Sequence, residues 1–252
     1  MVWWRTMRLV YPSAKEFAYI VDAVAALVDE AEFVVRRDGL YLRMLDMSRT
    51  AMVDLAIPRE AFEEFPDVEE LRVGLNLKDL MKILRRIKKG DKIAIEPGEG
   101  RVRVKLVGKS TRSVALRPVE LIPEEMPRPK FTVAATLRVT SAVLLTMLRD
   151  VAVVGDEVRF EASIDAFVAK GVSDRGEVEV RLERGSEFVY GYEVREPASA
   201  KYSLDYLLKM AQRGAKISDV ATLEFATARP VALTFDLPSG VALTYFLAPR
   251  VE

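Results

Sequence analysis

Two kinds of apolar spacing alternate along the chain, and each is written twice. A helix start reads Pro12-Ser13-Ala14-Lys15-Glu16-Phe17-Ala18-Tyr19-Ile20 and recurs as Thr140-Ser141-Ala142-Val143-Leu144-Leu145-Thr146-Met147-Leu148, with Ser13 and Ser141 placed as N-caps. A second start, Asn76-Leu77-Lys78-Asp79-Leu80-Met81-Lys82-Ile83, is echoed by Ser203-Leu204-Asp205-Tyr206-Leu207-Leu208-Lys209-Met210. The shared offset of 127 to 128 residues points to an internal duplication. Between these helices short period-two runs predict strands at Leu40–Met44, Met52–Ile57, Lys92–Glu96, Arg101–Leu106 and Ser113–Arg117, with Pro97-Gly98-Glu99-Gly100 as a hairpin turn. The second half repeats them at Val158–Ala162, Phe167–Val172, Val178–Leu182, Thr222–Phe225, Ala232–Phe235 and Ala242–Leu247. Runs of strands with two helices per half predict α+β halves with helices on one sheet face, not a doubly wound sheet.

The segment Arg117–Pro129 carries four prolines in thirteen residues. Proline lacks the ladder donor and resists helix, so this stretch reads as an extended linker whose Val119, Leu121, Ile122 and Met126 lie against a surface. The expected organisation is residues 1–117, a linker at 118–129, and residues 130–252.

Composition narrows the chemistry. Cysteine and histidine are absent, which removes thiol nucleophiles, imidazole bases and the usual zinc sites. No metal site and no cofactor is expected. One Asn, one Gln and 30% charged residues resemble hyperthermophile usage. No long apolar run and no signal-like start appear, so a cytoplasmic protein without membrane contact is expected. Net charge is zero, so any polyanion contact must come from local patterning.

Gly108-Lys109-Ser110 looks like the end of a phosphate-binding loop, but Arg103 stands where that loop needs its first glycine. The pairs Glu63-Glu64, Glu69-Glu70 and Glu124-Glu125 read as solvated surface. The basic residues say more. Lys82, Arg85, Arg86 and Lys89 are expected on one helix face opposite Leu77, Leu80, Met81 and Leu84. The second half sets Lys209, Gln212, Arg213 and Lys216 opposite Leu204, Leu207, Leu208 and Ala211. A solvated face is the plainer account of one such helix; recurrence in both halves makes a surface for phosphates an equally good one.

Three segments then carry a resemblance. Asp38 to Leu55 is similar to the strand-loop-strand around the Asp-x-Ser-His segment of the proliferating cell nuclear antigen family, Asn76 to Leu84 to its second helix, and Tyr245-Phe246-Leu247-Ala248-Pro249-Arg250-Val251-Glu252 to its C-terminal signature. The archaeal members look closest, and the resemblance runs along the whole chain. It implies a DNA sliding clamp: two similar domains with sheets outside and helices inside, six domains in a trimeric ring around duplex DNA. The ring would be a processivity factor for DNA polymerase and a platform for replication and repair enzymes. DNA would face Lys82, Arg85, Arg86, Lys89, Arg149, Lys209, Arg213 and Lys216. Short peptides of a clamp loader, DNA polymerase, flap endonuclease and DNA ligase would dock at Leu45, Arg49, Thr50, Met52, Leu121, Ile122, Pro230, Phe246, Leu247, Ala248 and Pro249. A pocket floored by Leu45, Met52, Pro230 and Leu247 would be apolar and exposed. Arg49 replaces the family's usual His, and Gln212, Asp205 and Val153 stand where basic residues are usual, so this subunit would contribute less of the pore's charge than a typical homotrimer member. That would suit a ring of non-identical subunits, and the trimer is homo- or heteromeric.

The run Glu177 to Glu183 alternates charged and apolar, as a strand with one buried face should. Subunits would join there, with Val178, Val180 and Leu182 meeting Ser113, Val114 and Leu116 of a neighbour. The rival readings are a checkpoint-type clamp and, from another class, a carboxylate-based hydrolase.

Overall fold

A computed structural model describes residues 7–122 and 126–251. The chain divides into two units. The first holds Met1–Leu45, Val53–Met126 and Leu237–Ala242, and the second Asp46–Met52, Pro127–Asp236 and Leu243–Glu252.

The first unit runs β1 (Leu9–Tyr11), α1 (Ala14–Val24), β2 (Glu30–Arg36), β3 (Gly39–Leu45), β4 (Ala51–Pro58), β5 (Glu70–Asn76), α2 (Leu77–Leu84), β6 (Lys92–Gly98), β7 (Arg101–Val107) and β8 (Thr111–Leu116). One sheet has the order β1-β6-β7-β8, and β4-β3-β2-β5 are successive neighbours in another. Strand β2 buries every second residue, Ala31, Phe33 and Val35, because successive side chains point to opposite faces. Helix α1 buries Phe17, Ile20, Val21 and Val24, one stripe at helical spacing, and packs beside α2.

The second unit runs β9 (Ala135–Thr140), α3 (Ser141–Val151), β10 (Glu157–Ala162), β11 (Ala166–Ser173), β12 (Gly176–Glu183), β13 (Val189–Val194), β14 (Ala198–Ser203), α4 (Leu204–Gly214), β15 (Val220–Phe225), β16 (Val231–Asp236) and β17 (Ala242–Leu247). The orders are β12-β11-β10-β14 and β13-β9-β15-β16-β17. These repeat the first unit's topology strand for strand, with β13 added where the first unit has only the bridge Val10–Glu64. Ala14 and Ser141, Glu30 and Glu157, Gly39 and Ala166, and Leu77 and Leu204 begin matching elements, each pair 127 apart. The core holds Phe160 and Phe167 with centroids 5.2 Å apart and Tyr202 5.5 Å from Phe160. Helix α4 ends at Gly214, where a Cβ would overlap the ring of Phe235, so only glycine lets the helix lie this close to β16.

Several expectations are corrected. Ser141 is the first residue of α3, not its cap: Thr140 holds the cap position without a side-chain bond, and the Ser141 hydroxyl donates to the Ser218 carbonyl at 2.7 Å. Ser13 and Asn76 do cap, accepting from the amides of Glu16 and Asp79 at 3.1 Å each. The first hairpin turn is only Glu99-Gly100, with Gly100 at φ 65°, because pairing runs on to Gly98–Arg101. Gly108-Lys109-Ser110 is the loop between β7 and β8. Gly108 leaves room for the Asp91 carboxylate, whose oxygen occupies the place a Cβ would take.

Candidate functional site

Helix α2 is eight residues long and ends at Leu84, so of its four predicted basic residues only Lys82 lies within the helix. Arg85 is its C-cap, Arg86 follows in the turn with its amide on Ile83, and Lys89 lies beyond, beside Gly90 at φ 84°. All four are exposed, as is Lys88, which the helical spacing left out. The turn is fastened from β8: Arg112 donates to the Arg86 carbonyl and to the Asp91 carboxylate, which also accepts from the Lys88 amide at 2.7 Å. The Lys88 amide and then Arg112 hold the Asp91 carboxyl below its ordinary range, against the burial that opposes ionisation. Lys82 pairs with Asp79 at 2.7 Å.

The second unit presents the same arrangement on α4. Lys209 pairs with Asp205 at 2.6 Å, Arg213 sits half-buried in the last turn, and Lys216 is exposed beyond the helix. Arg149 is exposed on α3 beside Asp150. The predicted apolar stripe shifts by one position: Met210 is buried with Leu204, Leu207 and Ala211, while Leu208 is only half-buried. Exposed ion pairs of the Asp79–Lys82 kind are worth little, about 0–1 kcal/mol, so a phosphate can compete for either lysine.

The loop before β4 is built on Asp46. Its Oδ1 accepts from the amides of Thr50 and Ala51, both at 2.8 Å, and its Oδ2 from the hydroxyls of Ser48 and Tyr206, both at 2.5 Å. Burial by itself would raise this carboxyl, but the four donors outweigh it and hold the pKa below the usual value. Tyr206 is raised, first by its bond to that carboxylate. The turn puts Arg49 at φ 58°, in the left-handed region, with its amide on the Asp46 carbonyl at 2.9 Å. The Thr50 carbonyl in turn accepts from the Ala248 amide at 2.9 Å, so the loop and the C-terminal strand are joined by backbone.

Of the predicted docking residues, Met52, Phe246 and Leu247 are buried, Leu247 completely. They carry the framework here and do not floor an open surface. Leu45, Thr50, Pro230, Ala248 and Pro249 are half-buried, and Arg49 is exposed. Arg128, from the segment before β9, lies 5.3 Å over the Phe246 ring.

Within the first unit the linker is held at two points. The Val119 amide donates to the Gly74 carbonyl at 3.0 Å, and Arg43 donates to the Met126 carbonyl at 3.1 Å while pairing with Asp54 at 3.1 Å. A cavity of about 340 Å³ lies here, lined by Val34, Tyr41, Met44, Leu121, Ile122 and Met126 among others. Ile122 is 94% exposed. Nothing in the spacing of Gly74, Arg43 or Asp54 announced this role, because each acts through a backbone atom or a partner distant in sequence.

Strand β8 ends the first unit's first sheet, and β12 ends a sheet of the second. On β8, Val114 is 42% exposed and Leu116 half-buried, while Ser113 is exposed on the opposite face. On β12, Val178, Val180 and Leu182 are half-buried on the face that packs near α3.

The acidic pairs face cations and not each other. Glu63 meets Lys92 at 2.7 Å, Glu64 meets Arg8 at 3.0 Å and Glu69 meets Arg37 at 3.5 Å. Glu124 and Glu125 lie outside the described residues. Among the described residues no cluster of three or more potential metal ligands occurs, and no helix is long and apolar enough to cross a membrane.

Comparison with known proteins agrees with this geometry. A DNA polymerase sliding clamp of Pyrobaculum aerophilum is 57% identical over 97% of this chain and 98% of its own length, and one of Thermofilum pendens 36% over 98% and 100%. Two solved structures share the fold: a proliferating cell nuclear antigen of Thermococcus kodakaraensis (TM-score 0.91, 23% identity, 96% of this chain and 99% of that one) and a PCNA2–PCNA3 complex of Sulfolobus tokodaii (0.89, 25%, 98% and 100%). Residues 9–122 match the N-terminal domain of proliferating cell nuclear antigen and residues 128–250 its C-terminal domain, and with both halves so matched the chain belongs to the proliferating cell nuclear antigen family, the DNA sliding clamps.

Proposed function

We propose that this subunit closes head to tail with two copies of itself into a ring around duplex DNA, where it tethers DNA polymerase and other replication and repair enzymes. The observation that carries the self-pairing is the complementarity of its two free edges. Residues 109–117 hold Lys109, Arg112 and Arg117 and no acid, whereas β12 holds Glu177, Glu179 and Glu183 against one Arg181. With Arg112 on Asp91, Glu179 on Lys170 and Glu183 on Arg181, the complementarity falls on Arg117 and Glu177. An antiparallel register with Val114 opposite Val180 and Leu116 opposite Val178 brings the apolar stripes together. It also sets Arg117 against Glu177. Pairing satisfies backbone groups that an exposed edge leaves as an aggregation hazard.

The basic turns after α2 and α4 contact phosphate without reading bases, so a ring slides instead of stopping. Docked enzymes use the linker and the exposed Ile122. The topological claim is tested by loading the clamp on nicked circular duplex and then linearising the DNA. A ring stays on the circle and runs off the ends of the linear form; equal retention on both overturns the reading.

A further inference from the structure

Strand β5 pairs with β2 along its whole length, from Asn76 opposite Glu30 to Glu70 opposite Arg36, and is the last strand on that side of its sheet. Its other edge receives Val119, whose amide bonds to the Gly74 carbonyl at 3.0 Å. A glycine is out of place there. It lies between the buried Val73 and Leu75, where a strand loses stability for want of a side chain, and its φ is not in the positive region that would call for one. What Gly74 provides is room. A Cβ at this position would overlap the carbonyl oxygen of Val119, and the atoms nearest to it all belong to the Val119 backbone, which cannot swing aside as a flexible side chain can.

We infer that Gly74 is a docking notch for the linker and a positioning residue for partner binding. The notch fixes the linker's N-terminal end, and Arg43 fixes the other through the Met126 carbonyl. Leu121 and Ile122 lie between, along the 340 Å³ cavity. A linker already laid on the sheet loses little freedom when a peptide binds beside it; a released linker must be ordered at that moment. Only this last step rests on the docking reading proposed above. The seating of the linker stands without it.

The test uses the full chain carrying Gly74→Ala, with amide exchange followed residue by residue. The Val119 amide is expected to exchange about tenfold faster or more, while amides of β2 and α2 keep their protection. Val119→Pro removes the same hydrogen bond from the linker side and leaves β5 untouched. Cleavage after Glu120 by a glutamate-specific protease should speed up in both variants, and the proline variant decides the matter if the alanine variant does not fold. Both variants should bind a polymerase tail peptide about tenfold more weakly at unchanged native mass. Unchanged Val119 exchange in Gly74→Ala overturns the notch, as does unchanged cleavage after Glu120 in Val119→Pro. Faster exchange with undiminished peptide affinity overturns the positioning role. Absence of any peptide binding by the unaltered protein would instead overturn the docking reading and leave the notch in place.

Discussion

Asp46 gathers four donors onto one carboxylate, two amides from its own loop and two hydroxyls, one of them Tyr206 from a helix 160 positions away in sequence. The family resemblance marks the segment, but nothing in local spacing joins Asp46 to Tyr206, and so neither stands out in the sequence. Because the folded pKa lies below the unfolded value of about 3.9, the group stabilises the fold above that pH. The contribution fades as pH falls through the folded pKa. Asp46→Asn should therefore cost on the order of 2 kcal/mol at pH 7, and the gap between variant and parent should narrow in acid, as denaturant unfolding at pH 7 and pH 3 will show. A gap that is the same at both pH values would mean the carboxylate's charge is immaterial. The predicted docking residues divide in the same way between framework and surface. Leu247 is fully buried and Ile122 is 94% exposed, a contrast that the resemblance could not supply because it ranks positions by motif and not by burial. Leu247→Ala should lower stability by about 2–5 kcal/mol through the cavity it leaves. Ile122→Ala should leave thermal unfolding where it is and still weaken a bound tail peptide in calorimetry. Equal loss of stability in both would place Ile122 inside the fold.

At the scale of elements, every strand named from the sequence is present, six more (β1, β2, β5, β9, β13 and β14) are not announced by it, and three of these share a cause. β5, β9 and β14 run straight into α2, α3 and α4, the last strand residue being itself the helix N-cap. No Gly or Pro separates the two periods, so the helical stripe masked the strand before it. The same blindness to ends carried α2 too far: its spacing continues to Lys89, but the chain leaves the helix at Leu84 and turns under Arg112. The basic groups therefore sit on a turn fixed at its base, not along a regular face. Phosphate binding needs only proximity, and the change to Glu at Lys82, Arg86 and Arg213 should weaken duplex binding. It should also flatten the dependence of log affinity on log salt by about 0.9 for each phosphate no longer neutralised. Circular dichroism should show unchanged helix content. An unaltered salt slope would remove these helices from the DNA-facing surface.

At the scale of the whole molecule, near-zero net charge is compatible with a sliding clamp because local patches carry the charge. Locally the charges separate: residues 109–117 carry Lys109, Arg112 and Arg117 and no acid, and β12 carries Glu177, Glu179 and Glu183 against Arg181. On the proposed pairing the interface would be heterologous, one patch meeting a different patch, which propagates head to tail and ends only when the rotation closes. The proposed register gives this a sharp test. Arg117→Glu sets two carboxylates opposite one another across the junction, and Glu177→Arg sets two guanidinium groups there, so either change alone should shift native mass toward the monomer at micromolar concentration. An equimolar mixture of the two single variants retains some like-charged junctions whichever way its subunits are arranged. The double variant carrying both reversals restores an opposite pair at every junction and should recover the mass of three chains. Recovery in the double variant with loss in each single one establishes both the register and the self-pairing. If the single variants assemble as the parent does, Arg117 and Glu177 do not meet; if the parent itself stays monomeric until another clamp subunit is added, the ring is not made of this chain alone.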